Sequence, residues 1–149
     1  MEEKSGDVPL PPAARVVGVI FNAKKKGGEG LRDEEAEYDN PETVLAIRDA
    51  VVSGGYCAVL LEADNSLPNK LAETHIDIAF NIAEGIRGRG REAEVPALLN
   101  LLGIPFTGSD ETALCIALDK ALTKRVLGTY GVPTPGYAVL ETAEDAWDA

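Results

Sequence analysis

Two rhythms of apolar residues alternate along this chain, and the alternation lays out a fold. Residues Val16–Phe21, Val-Val-Gly-Val-Ile-Phe, form an unbroken apolar run rich in β-branched side chains, the pattern of a central parallel strand covered on both faces. Asn40, Pro41 and Glu42 then read as a helix start, with an N-cap side chain, a proline in the first turn and an acid near the positive end of the dipole. Val44, Ile47 and Val51 mark the buried stripe of that helix, and Gly54-Gly55 stops it. A second strand is predicted at 57–61, a short helix at 66–73 and a third strand at 76–82. Strand, helix, strand, helix, strand is the order of a parallel α/β unit.

The third strand runs into a loop at 84–91 that holds three glycines and three arginines. Val95, Leu98, Leu99 and Leu102 follow at i, i+3, i+4 and i+7, one face of a helix, with Gly103 as its stop. A strand end that feeds a glycine loop and a helix N-terminus is where open α/β sheets bind ligands, because free backbone N–H groups converge there. Composition alone is equally compatible with a solvated loop; the position after a strand favours binding. Beyond it, 104–107 is predicted as an edge strand, and Gly108 to Glu111 cap a helix through Ala113, Leu114 and Ala117. Leu118, Leu122 and Val126 recur at fourfold spacing in a further helix that ends at Gly131, before Pro133-Thr134-Pro135. A strand is expected at 137–140, and Thr142 opens a helix that the chain does not complete, so the sequence is expected to be a piece of something longer.

Composition narrows the class. With 149 residues and 45% hydrophobic content, the chain can build one packed core, or one domain and the opening of a second. Residues 1–14, polar and carrying Pro9, Pro11 and Pro12, read as a flexible leader. The formal net charge of -11 argues against nucleic acid and anionic membranes as partners, so an anionic ligand must be attracted locally by Arg and Lys. Without an apolar leader or a membrane-length apolar run, a cytoplasmic location is expected. Cys57 and Cys115 lie in apolar runs with no metal-ligand spacing and are expected to be reduced core residues.

Familiar catalytic motifs are missing. The glycine loop is not the G-x-x-x-x-G-K-[ST] phosphate loop, and no Ser-His-Asp, H-E-x-x-H or paired-carboxylate pattern is visible. Lys24-Lys25-Lys26 and the charges Asp119, Lys120, Lys124 and Arg125 read by themselves as solvated surface, and His75 as a surface or capping histidine, so no metal site is expected.

Taken together, Phe80-Asn81-Ile82, Glu84-Gly85, Val95 to Leu99, Leu102 to Ser109, Asp119-Lys120 with Lys124, and Gly131 to Pro135 closely resemble the D-alanine–D-alanine ligase family of ATP-grasp enzymes. The resemblance covers roughly 15–149. It implies a three-layer, parallel-sheet α/β domain preceding the ATP-grasp domain at 15–117, and the first elements of the ATP-grasp domain at 118–149. It also implies an enzyme that uses ATP and magnesium to turn a carboxylate into an acyl phosphate, which an amine attacks to give an amide and ADP, with a place in cell-wall peptidoglycan synthesis. Carried over by position, Lys120 would touch the ATP phosphates, and Glu84, Gly85, Arg91 and Glu92 would line the amino-acid site.

Three departures fall on the substrate side. Glu84-Gly85 stands where the ligases usually have His-Gly, and Gly90-Arg91-Glu92-Ala93 where they have Gly-Glu-Asp-Gly. The signature G-G-x-S-x-E is absent after Phe21; Glu29 is the acid offered in its place, though no spacing supports it. The family's metal-binding carboxylates and transition-state arginine would lie beyond Ala149, so the chain alone is expected to be inactive. A homodimer is common among such ligases, but no signature of one is visible. The competing reading is a stand-alone, non-catalytic module that binds a small molecule.

Overall fold

The computed structural model describes residues 15–24 and 38–142. The expected leader, Lys25 and Lys26, Glu29 and the last helix lie outside the described residues.

Strand β1 (Val16–Phe21) sits at the centre of a parallel sheet, between β2 (Cys57–Glu62) and β3 (Ile78–Asn81). The unbroken apolar run explains the central place: Val17, Val19 and Ile20 are all buried, and only a strand covered on both faces can hide consecutive side chains. Val16 through Phe21 pair with Cys57 through Glu62 on one side, and Val17 through Ile20 with Ile78 through Asn81 on the other. Beyond β3 the expected edge strand at 104–107 is reduced to one parallel bridge, Ala79 to Phe106. The Ala79 N–H donates to the Pro105 carbonyl (2.8 Å) and the Thr107 N–H to the Ala79 carbonyl (3.0 Å), an arrangement suited to an edge because Pro105 has no N–H to waste.

Helix α1 (Pro41–Ser53) connects β1 to β2, α2 (Leu67–Glu73) connects β2 to β3, and α3 (Glu94–Leu102) follows the glycine loop through a 3-10 turn at Arg91–Ala93. Leu67 and Leu71 of α2, with Val95 and Leu99 of α3, pack against Ile20, Leu61 and Ala79 in the main core. Helix α1 packs on β1 and β2 without joining that cluster, and Val51 of α1 lines a cavity with Val17, Ile78 and Phe80. Alternate residues of the strands therefore face opposite helical layers, giving the expected three-layer α/β arrangement. Gly18 permits the close packing on the main-core side, where a Cβ would come within 2.7 Å of Ile76 Cδ1.

Helices α4 (Glu111–Leu118) and α5 (Lys120–Thr129) meet at Asp119, the C-cap of one and the N-cap of the other. Neither has a fully buried residue. The Thr123 hydroxyl, 2.6 Å from the Ile116 carbonyl, staples the two across the joint. Ala117, after which a domain boundary is expected, lies in the last turn of α4.

Five expectations need correction. Asn40 occupies the N-cap position of α1, but its side chain makes no capping bond; its carbonyl receives the Thr43 and Val44 N–H groups instead. Leu102 has the right periodicity for the core, yet it is the last residue of α3 and is exposed. Cys57 and Cys115 are exposed free thiols, because β2 begins at Cys57 on the sheet's outer strand and α4 buries no side chain. Residues 137–140 pair with no strand among the described residues, and Tyr137, Val139 and Leu140 are exposed. The third strand is shorter than expected, Ile78–Asn81; just before it the Asp77 carboxylate accepts the Val16 N–H at 2.7 Å.

Candidate functional site

The carboxyl ends of all three strands meet at Asn22, the residue after β1. It is a buried polar side chain, 4% exposed. Its Nδ2 donates to the Ala63 carbonyl just past β2 (2.8 Å), and its Oδ1 accepts the N–H groups of Glu84 (2.8 Å) and Gly85 (3.0 Å) just past β3. The returning chain joins the same point, where the Asp39 N–H donates to the Asn22 carbonyl at 3.0 Å. Tyr38 Oη then reaches the Gly85 carbonyl at 3.3 Å, so the Gly85 residue is gripped on both its N–H and its C=O.

Gly85 has no substitute at this place. Its φ is +77°, and a Cβ would lie 1.9 Å from the Arg91 carbonyl oxygen. The close approach closes the loop on itself and sets Gly85 against Arg91, each beside a glutamate in sequence, Glu84 and Glu92. Glu84, Arg91 and Glu92 are each partly exposed.

Several of the loop's N–H groups are engaged within the protein. The N–H groups of Glu84 and Gly85 go to Asn22, that of Ile86 to Glu94 Oε2 (2.8 Å), that of Arg91 to the Gly88 carbonyl and that of Ala93 to the Gly90 carbonyl. The loop is thus bonded internally at both ends. A cleft of about 330 Å³ opens beside it, between the start of α2 and the start of α3, floored by Leu67, Val95 and Leu98 and rimmed by Asp64, Arg87 and Glu94. A larger cavity of about 440 Å³ lies on the α1 face near Arg15 and Tyr56, at the amino ends of the strands and away from this chemistry.

Lys120 is exposed at the first position of α5, and its Nζ rests on the Ala117 carbonyl at 2.9 Å. It is tied to the loop through its neighbour: Arg89 forms an ion pair with Asp119, whose other oxygen accepts the Leu122 N–H. The Leu122 N–H and the Arg89 guanidinium hold the Asp119 carboxyl below its ordinary range. Lys124 reaches the Pro135 carbonyl at 2.9 Å and lies over the Tyr137 ring. At the cleft rim, Asp64 is held down to about 2 by the Ser66 hydroxyl and by Lys70, whereas burial pushes Asp39 up. His75 is a surface histidine, 3.8 Å from Asp77.

The sequence pattern did not single out Asn22, Tyr38 or Asp39. The one available signal was place: Asn22 immediately follows the strand that the apolar run made central.

No family model matches the chain. Among curated proteins, a D-alanine–D-alanine ligase of Pseudomonas putida strain GB-1 is 39% identical over 104 residues, which are 70% of this chain and 32% of the relative. A D-alanine–D-alanine ligase of Citrifermentans bemidjiense is 35% identical over 114 residues, 76% of this chain and 35% of the relative. An uncharacterised protein of Sinorhizobium fredii is 34% identical over 115 residues. The chain thus spans about a third of the length of the curated relatives it matches. Crystal structures of the Bacillus anthracis D-alanine–D-alanine ligase, alone and complexed with ATP, share the fold with TM-scores of 0.59 and 0.58 at 22% identity. They cover 91% and 89% of this chain, which in turn covers 43% and 44% of them. Sequence and fold together place this chain in the D-alanine–D-alanine ligase family, of whose curated members it spans about a third.

Proposed function

We propose that the chain is the amino-terminal portion of an ATP-dependent carboxylate–amine ligase that joins amino acids through an acyl phosphate. The observation that carries this reading is the loop at 84–91, pinned to the strand ends by Asn22 and linked through Arg89 and Asp119 to Lys120. Two parts that a ligase must bring together, an amino-acid platform and a phosphate-binding lysine, are adjacent. In this reading 15–117 is the substrate-facing domain and 118–149 opens the nucleotide-binding one.

Glu84, Gly85, Arg91 and Glu92 are assigned to the amino acid. Gly85 contributes shape and the charged residues contribute contacts. Lys120 is assigned to the ATP phosphates; its exposed, flexible stem lets the ammonium leave the Ala117 carbonyl for a stronger anionic partner. Among the described residues no group of three or more His, Cys, Asp or Glu could hold a metal ion, so no step is assigned here to magnesium. No helix among them is long and apolar enough to cross a membrane; a cytoplasmic location belongs to the same proposal.

ADP release by the full-length protein, measured over a panel of D- and L-amino acids, tests the reading. Release that requires an amino acid is expected, and Lys120→Ala should raise KM for ATP by about tenfold, the effect of losing one charge-assisted contact. Saturable binding of an amino acid with no ADP release across the panel would favour a binding module instead.

A further inference from the structure

Nothing in the strand pattern of β1 calls for a polar side chain at its end, yet Asn22 is buried there with its amide bonded to two other segments. Its partners Ala63, Glu84 and Gly85 lie 41, 62 and 63 positions away in sequence. We propose that Asn22 is a positioning residue for the amino-acid site, fixing the direction in which Glu84 and the glycine loop leave the sheet. The identity of the ligand rests on the ligase reading; the positioning itself does not.

The geometry selects an amide. One end must donate to a carbonyl, and the other must accept two N–H groups at 2.8 and 3.0 Å. A carboxylate accepts equally well but would set an oxygen against the Ala63 carbonyl, and would bury a charge at a place 4% exposed. Leucine matches the size and satisfies neither end, leaving the Ala63 carbonyl and two N–H groups without their partner. The effect of those bonds is directional: both N–H groups turn inward, so the Glu84 side chain is set from the β1 side, not by the loop's own glycines. Asn22 also stands directly after Phe21, where the ligases' G-G-x-S-x-E signature is missing. At the strand end where that signature is absent, this chain has a side-chain anchor.

The test compares Asn22→Leu and Asn22→Asp in the full-length protein, reading hydrogen exchange at the Glu84 and Gly85 amides beside KM and kcat. Asn22→Leu is expected to lose protection at both amides and to raise KM for the amino acid about tenfold, the effect of two lost hydrogen bonds, with KM for ATP little changed. Asn22→Asp keeps the acceptor and loses the donor to Ala63, so it is expected to lower stability while retaining protection at the Glu84 and Gly85 amides. Should Asn22→Leu not fold, the aspartate variant carries the test, since loss of protection in a folded Asn22→Asp overturns the assignment. A folded Asn22→Leu with unchanged protection, or with lost protection and unchanged KM, overturns it as well. If the wild-type protein releases no ADP with any amino acid, the ligase reading fails separately, and exchange together with amino-acid binding in the two variants decides the positioning role.

Discussion

The strand-end region and the α4–α5 region are held by different physics. Around Asn22, buried amide bonds join three strand ends over a core in which Leu99 and Ile20 are completely covered. In α4 and α5 no residue is fully buried, and order comes from local devices: the Asp110 and Asp119 caps, the Thr123 staple and the Arg89 ion pair. The first region fixes geometry by packing and desolvated hydrogen bonds. The second can shift with little loss, because exposed ion pairs contribute only about 0–1 kcal/mol. Under the proposed function, the first would hold the substrate platform rigidly and the second would leave Lys120 adjustable.

Substitutions can break the comparison, beginning with the largest effect. Gly85→Ala should destabilise by about 3–5 kcal/mol, because a left-handed backbone and a Cβ clash with the Arg91 carbonyl act together. Urea unfolding of the variant checks this, and a loss below about 1 kcal/mol would mean that the loop relaxes freely. Leu99→Ala should cost about 3 kcal/mol by the same measurement, whereas Leu101→Ala, in the same helix but 83% exposed, should stay within about 0.5 kcal/mol.

Caps sharpen the contrast further. Asp110 accepts the Ala113 N–H at 2.8 Å, so Asp110→Ala should cost about 1 kcal/mol; Asn40→Ala, which removes no side-chain cap bond, should cost only about a few tenths. Helix signal by circular dichroism, followed through denaturation, separates the two.

The smallest effects are electrostatic. Asp64, at about 2 against an ordinary 3.8, adds stability that is complete above the ordinary value and is lost as pH falls through about 2. Asp119 acts in the same direction. Asp39 acts oppositely: its raised pKa favours the folded state in acid, and that contribution disappears as pH rises through the raised value, so Asp39→Asn should be neutral or slightly stabilising at pH 7. Carboxyl NMR titration reads each directly, and an Asp64 that titrates near its ordinary value would remove it from the account.

What the sequence made legible follows the same division. The apolar run of β1, the glycine stops at Gly54 and Gly103 and the Asp110 cap are local signals, and each appears in the structure where the pattern put it. The Asn22 bonds were hidden because they depend on segments more than forty positions apart converging, and periodicity carries no information about that. The loop was legible only in part: its glycines do not reveal that Asn22 and Glu94 engage the N–H groups of Glu84, Gly85 and Ile86. Leu102 and the cysteines show the limit of periodicity, which gives the face a residue occupies but not whether anything covers that face.

The central claim is that this chain serves a ligase, and product analysis of the full-length protein tests it most directly. Incubation with ATP, magnesium and a mixture of D- and L-amino acids should yield an amide-linked product together with equal amounts of ADP and phosphate. ADP formed without such a product, or no turnover by folded protein with any amino acid, would contradict it.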